Sequence, residues 1–95
     1  MTPDTTADLD TRRRRAGYRA AHRGTKEMDW LLGRYAEARL ATMADPELAH
    51  FEQLLDEPDP TLQQWIMDHA AVPDDRFAAL IQTLRVFHKL PQAAR

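Results

Sequence analysis

The chain contains no cysteine and no serine, and only three glycines among its 95 residues. The absence of cysteine excludes disulfides, thiolate nucleophiles and cysteine-based metal sites, and the absence of serine excludes a serine nucleophile. The few glycines form neither a phosphate-binding loop nor a dinucleotide-binding fingerprint. No apolar run approaches the roughly 20 residues of a transmembrane helix. We therefore predict a protein without a membrane span and with no tightly held dinucleotide.

Metal-ligand and catalytic patterns are also lacking. The four histidines lie at least nineteen residues apart, and none has the i, i+3 or i+4 partner that would place two metal ligands on one helical face. Acidic residues are plentiful, but no spacing pairs them for acid–base catalysis. We predict no metal site, no stably bound cofactor and no enzymatic activity of the chain's own.

The two ends of the chain are polar and short. Residues 1–10 carry three aspartates and no basic residue, unlike a secretory signal, which has a basic start and an apolar centre, or a transit peptide, which avoids acids. This pattern favours a bacterial cytoplasmic protein. We predict a disordered tail over residues 1–7, a single domain over residues 8–90 and a C-terminal tail over residues 91–95.

Helical periodicity dominates the central part, and no segment alternates as a strand would. Helix one is predicted over about residues 8–22 and helix two over about residues 25–43. The second carries the clearest apolar stripe, at i, i+3, i+4 and i+7: Met28, Leu31, Leu32 and Tyr35. Gly33 lies inside it at a cost of about 1 kcal/mol relative to Ala, which suggests close packing by a neighbouring helix.

Three further helices follow, two of them with Asp-Pro starts. Asp45-Pro46 and Asp59-Pro60 each offer an N-cap followed by a proline suited to the first helical position. Residues 71–74 separate helix four from helix five, and Pro91 ends the fifth. The apolar faces of these helices include Phe51, Trp65 and Phe77, among others. The predicted fold class is all-α: a small single-domain bundle of five short helices.

Charge is distributed unevenly along the chain. Residues 1–40 hold nine basic against six acidic residues, whereas residues 41–95 hold four against nine. Four arginines, here called the arginine stripe, fall on one face of helix one: Arg12, Arg15, Arg19 and Arg23. This polarity suggests a surface that docks and orients a charged partner. One alternative is a small helical regulatory module that binds nucleic acid through Arg12–Arg15, although the pI is near 6.0 and no helix-turn-helix is evident.

The joint between helices one and two has the sequence Arg-Gly-x-x-Glu, formed by Arg23, Gly24 and Glu27. A capping box would explain part of it, with Gly24 as N-cap and Glu27 reaching back to a backbone N–H. That explanation leaves Arg23, Tyr18 and the arginine stripe unaccounted for. Trp30 falls off the apolar stripe of helix two and is predicted to be partly exposed, as a candidate partner contact.

The stretch from Tyr18 to Asp29, the Leu31-Leu32 that follows it and the later Asp59-Pro60…Leu62…Trp65-Ile66 resemble the SdhE family. These are small five-helix assembly factors of succinate dehydrogenase, and the resemblance covers roughly residues 12 to 90. It implies a chaperone that binds the flavoprotein subunit and promotes covalent attachment of FAD to a histidine there. In some bacteria the fumarate reductase flavoprotein is also a client. The bond-forming chemistry is attributed to the client and its flavin.

The resemblance also implies a partner-binding surface. Arg23, Gly24 and Glu27 would form its centre, with Tyr18 and Asp29 nearby. From the charge pattern, and not from the resemblance, we expect the stripe residues Arg15 and Arg19 to steer an acidic partner. His22 stands where many relatives have a second Arg or Lys. Because glycine lets a partner's backbone approach closely, we expect Gly24→Arg to block docking while leaving the bundle folded.

Overall fold

A computed structural model of the protein describes the backbone of residues 5–67 and 75–90 and the side chains of residues 8–67 and 76–90. Within them the chain forms five α-helices and a 3₁₀ turn at Leu40–Thr42, and no strand. The helices are α1 (Thr5–Ala21), α2 (Lys26–Arg39), α3 (Asp45–Leu55), α4 (Asp59–Met67) and α5 (Asp75–Phe87). The predicted all-α class and the number of helices are confirmed. No helix of the described ranges has the length and apolarity to cross a membrane.

The core forms where the predicted apolar stripes meet. Met28, Leu31, Leu32 and Tyr35 of α2 are all buried, as are Phe51 of α3 and Phe77 of α5. The thin face of α1 contributes Ala16 and Ala20, both buried, and Leu9 packs against the same core at its edge. Small residues on α1 let its backbone lie close to α2, so this helix depends on its neighbours rather than on its own apolar surface.

Gly33 shows how close α1 and α2 come. A Cβ at this position would lie 3.2 Å from the Cα of Ala21 and 3.4 Å from its Cβ. The expected close packing of a neighbouring helix is therefore confirmed, and the neighbour is the C-terminal end of α1.

Several predicted boundaries need correction. The helix α1 begins at Thr5, so residues 5–7 of the predicted tail are helical, while the rest of that tail and residues 91–95 lie outside the described ranges. The helix α2 ends at Arg39, four residues before the predicted end. The predicted boundary at residues 71–74 also lies outside the described ranges.

The start of α3 is shifted by one residue from the prediction. Ala44 is the N-cap, and its N–H donates to the Glu47 carboxylate at 3.1 Å, so Asp45 is the first helical residue and not the cap. Asp45 instead accepts a hydrogen bond from Arg12 at 2.8 Å. The Asp45 side chain, which the local pattern assigned to helix capping, thus forms a long-range ion pair with Arg12 instead.

The end of α5 is set before Pro91. Leu90 N–H donates to Arg85 O at 2.9 Å and Lys89 N–H to Val86 O at 3.0 Å. These are the two bonds of a Schellman motif, and Lys89 takes the left-handed backbone conformation at φ 58° that this motif requires. The sequence does not predict this motif, because position 89 holds lysine and not glycine, the usual residue there.

Candidate functional site

The joint between α1 and α2 consists of residues 22–25. Thr25 is the N-cap of α2: its hydroxyl accepts from Met28 N–H at 3.1 Å, and its extended backbone (φ −136°, ψ 156°) turns the chain into the helix. The capping-box alternative for Gly24 and Glu27 is therefore wrong, because the cap lies one residue later. Glu27 occupies the second helical position, and its side chain is exposed.

Arg23 faces into the protein rather than outwards. Its Nε donates to Asp59 at 2.7 Å, while its two terminal nitrogens donate to the carbonyl oxygens of Leu55 and Glu57, both at 2.6 Å. The Arg23 side chain is only 11% exposed. A planar guanidinium can serve three acceptors at fixed angles, so this residue fastens the joint to the connection between α3 and α4.

Two carboxylates hold the backbone of the joint. The other oxygen of Asp59 accepts from Gly24 N–H at 2.7 Å, and Asp29 accepts from Arg23 N–H. A Cβ added to Gly24 would lie 2.9 Å from the Asp59 oxygen, closer than van der Waals contact allows. The missing side chain of Gly24 therefore leaves room for the carboxylate that bridges Arg23 and the Gly24 amide.

The exposed part of this region is distinct from the buried part. Gly24 and Glu27 face solvent, and within the described ranges the Glu27 carboxylate has no hydrogen bond or ion pair. Tyr18, 65% exposed, stacks on His22 with ring centroids 4.0 Å apart, and His22 Nδ1–H donates to Tyr18 O at 2.9 Å. A shallow depression of about 360 Å³ adjoins this pair; it is lined by Tyr18, Arg19, His22, Arg23 and Asp59.

Most of the arginine stripe is engaged by the chain's own acids. Arg12 forms a fork with the Glu52 carboxylate at 2.9 and 3.3 Å in addition to its bond to Asp45, and Arg19 donates to Asp56 at 2.6 Å. The hydrogen bonds to Glu52 and then Asp45 raise the pKa of Arg12 above its usual value. The uneven charge of the two halves is therefore used largely within the molecule, to bind α1 to α3.

Arg15 is the exception in the stripe. Its side chain is exposed, and in the part of the chain that the structure describes it forms no hydrogen bond or ion pair. Of the arginines at positions 12–15 that the nucleic-acid alternative would use, Arg12 and Arg13 already have acidic or carbonyl partners, and nothing favours that alternative. The described ranges also contain no cluster of His, Asp or Glu side chains arranged for a metal ion.

The joint therefore combines a fixed backbone with an exposed polar face, located where α1, α2 and the α3–α4 connection meet. The sequence model of the protein family Sdh5, described as the flavinator of succinate dehydrogenase, matches residues 14–88. The chain belongs to this family. The matched region includes all seven residues that the resemblance and the arginine stripe assigned to partner binding. The resemblance to the SdhE family is confirmed.

Relatives within the Sdh5 family agree with this assignment. The chain is 38% identical over 77 residues to the FAD assembly factor SdhE of Acetobacter pasteurianus, covering 81% of this chain and 71% of that protein. It is 37% identical over 84 residues to the FAD assembly factor SdhE of Xylella fastidiosa, covering 88% and 81%. The mitochondrial succinate dehydrogenase assembly factor 2 of Dictyostelium discoideum is 30% identical over 69 residues, which are 73% of this chain and 49% of that protein. No solved structure matches this chain.

Asp59 is the residue of the site that sequence reasoning missed, because its Asp-Pro context predicted only a helix start. The acidic partners of the arginine stripe are visible in the sequence as Asp45, Glu52, Asp56 and Asp59. Their spacing does not match that of the arginines they bind, because Arg12 contacts two of them, so the sequence pattern alone does not assign the pairs.

Proposed function

We propose that this protein is an assembly factor that binds the flavoprotein subunit of succinate dehydrogenase and promotes covalent attachment of FAD to that subunit. The family description and the names of the bacterial relatives support this role. The structural observation that carries it is the division of the Arg-Gly-x-x-Glu sequence. Arg23 is bonded inside the bundle, whereas Glu27 is exposed with no partner in the described ranges.

This division gives the joint the properties of a preformed docking surface. Two carboxylates and the Arg23 guanidinium hold its backbone before any partner arrives, so little conformational entropy is lost on binding. The Glu27 carboxylate is then free to accept charge-assisted hydrogen bonds from the client. In this proposal the docking surface consists of Glu27 with Gly24, Tyr18, Arg19 and Arg15, while Arg23 and Asp29 act mainly by keeping the joint in place.

The proposed contribution is binding, and not bond formation. The factor would favour the conformation in which the client's own residues react with FAD, so that the flavin belongs to the client and this chain holds none stably. The fumarate reductase flavoprotein remains a predicted second client, and a bacterial cytoplasmic location remains a prediction.

The experiment measures covalent flavin in the client directly. Cells lacking this gene receive wild type, Glu27→Gln or the control Asp8→Asn, and in-gel flavin fluorescence is read on the denatured flavoprotein subunit. We expect wild type and Asp8→Asn to restore the fluorescent band and Glu27→Gln to restore much less. Asp8 is a matched control, since it is an exposed carboxylate near the other end of α1. A band of full intensity in cells lacking the gene would refute the function, whereas full restoration by Glu27→Gln would refute the site.

Gly24→Arg is a less discriminating variant than the sequence suggested. Any side chain at position 24 meets the Asp59 carboxylate at 2.9 Å, so the substitution disturbs the internal bonds of Arg23 as well as any docking. The expectation that the bundle stays folded in this variant remains a prediction. Glu27, exposed and without a partner in the described ranges, isolates docking from folding.

A further inference from the structure

Four large apolar or aromatic side chains of the described ranges are notably exposed: Tyr18, Trp30, Met67 and Val86. Trp30 is the largest of them and is 50% exposed. It follows Glu27 by three residues on α2, so the two side chains lie on the same face of that helix, about 4.5 Å apart along its axis. The exposed tryptophan is thus next to the exposed carboxylate of the joint.

The indole of Trp30 is held on one side and open on the other. Its ring lies against His88 with centroids 4.5 Å apart. His88 is itself fixed, because its Nε2–H donates to Leu31 O at 2.7 Å and its backbone enters the Schellman motif that ends α5. Aromatic side chains that are already immobilised lose little entropy on binding.

A depression of about 320 Å³ adjoins Trp30. It is lined by Trp30, Arg34, Glu37, Ala38, Phe87 and His88. Its lining combines the rings of Trp30, Phe87 and His88 with two charged side chains, Arg34 and Glu37, which are 4.0 Å apart. Interfaces commonly combine aromatic residues at the centre with polar residues at the rim.

The size of a stable interface connects this depression to the joint. A standard complex buries about 800 Å² on each partner, equivalent to a round patch of roughly 16 Å radius. Centred on Glu27, such a patch extends beyond Glu37, which lies about 15 Å farther along α2. A partner that covers the joint with a standard interface therefore reaches Trp30.

We infer that Trp30 anchors the flavoprotein client and that the client places an apolar side chain in the depression between Trp30 and Phe87. This inference rests on the proposed function, because it takes the same partner that docks on Glu27. Arg34 at the rim offers its guanidinium to a carboxylate or carbonyl oxygen of the client. The docking surface then extends from the joint along the exposed face of α2.

Fluorine NMR of the full chain labelled with 5-fluorotryptophan tests this inference. The chain has two tryptophans, and Trp30→Phe assigns their signals. On addition of the unlabelled flavoprotein subunit, we expect the Trp30 signal to shift and to lose its sensitivity to exchange of H₂O for D₂O. Trp65, only 7% exposed, serves as the internal reference and keeps its low sensitivity.

Affinity measurements complete the test. We expect Trp30→Ala to weaken binding of the subunit about tenfold or more, whereas Val86→Ala, a matched control at an exposed apolar residue outside the depression, changes it less than about twofold. The inference would be overturned if Trp30→Ala bound the subunit as tightly as wild type and the Trp30 signal did not move. The proposed function would remain intact in that case if Glu27→Gln bound the subunit more weakly than wild type. A Trp30 signal that shifts with the concentration of this protein alone would assign the surface to a second copy and also overturn it. Absence of any binding by wild type would remove both proposals.

Discussion

Replacing Arg23 by Ala removes the side chain that fastens the joint. The substitution deletes three hydrogen bonds, one to the Asp59 carboxylate and two to the carbonyls of Leu55 and Glu57. It also leaves Asp59, whose side chain is 19% exposed, as a largely buried carboxylate without its cation. Arg23 should therefore contribute to stability far more than a surface arginine does.

The magnitude follows from this geometry. Breaking a buried ion pair by removing one partner costs about 3–5 kcal/mol, and we take about 3 kcal/mol because water reaches part of this pair. A chain of this length is stable by about 5–14 kcal/mol in total. For a domain near 100 residues, each kcal/mol corresponds to about 4–8 °C, so Tm should fall by about 12–24 °C.

Urea unfolding followed by far-UV circular dichroism measures the effect, with Arg19→Ala as the matched control. Arg19 makes one bond to Asp56, and the two side chains are 36% and 71% exposed, so its loss should cost only about 0–1 kcal/mol. Arg23→Lys should recover part of the loss, since one ammonium keeps the charge but cannot reach all three acceptors. If Arg23→Ala and Arg19→Ala were equally stable, the assignment of Arg23 to an internal structural role would be refuted.

Three further predictions concern other parts of the bundle. Lys89→Gly should raise the free energy of unfolding by about 0.5–1 kcal/mol, because glycine adopts a φ of 58° without the steric cost that lysine bears; a destabilised variant in urea unfolding would contradict this. Gly33→Val should lower Tm through a loss of about 1–3 kcal/mol from crowding against Ala21, whereas Gly33→Ala should be nearly neutral, since its helix propensity offsets the tight 3.2 Å contact; equal Tm values for the two variants would argue against close packing there. Burial raises the pKa of Tyr35, with Arg39 opposing and Glu47 adding, so the folded protein keeps a proton that the unfolded chain has lost. The stabilising contribution of the neutral phenol is complete below about pH 10 and is lost as pH rises through the folded pKa. The free energy of unfolding of Tyr35→Phe should therefore decline less steeply above pH 10 than that of wild type. An identical pH dependence of the two proteins would contradict this prediction.

The sequence alone determined the local features of this protein. The stripe of Met28, Leu31 and Leu32 specifies an amphipathic helix through a repeat of 3.6 residues, which needs only neighbouring positions to be recognised. For the same reason Trp30, off that stripe, was correctly predicted to be exposed, and Trp65 was correctly placed in the core. The Arg-Gly-x-x-Glu sequence, together with Tyr18 and the later Asp59-Pro60…Leu62…Trp65, indicated the SdhE family from local sequence alone.

Only the tertiary structure decided what the charged residues of the site do. Arg23 and Asp59 are 36 positions apart along the chain, and their distance in space depends on how α1 lies against the α3–α4 connection. Local periodicity does not contain that information, so an arginine predicted to contact a partner proved to be bonded internally. Gly24 has the same explanation, since its missing side chain makes room for a carboxylate from another helix. Helices can be predicted from the sequence because their periodicity depends only on neighbouring residues. The pairing of charges depends on how the helices pack, so only the tertiary structure shows it.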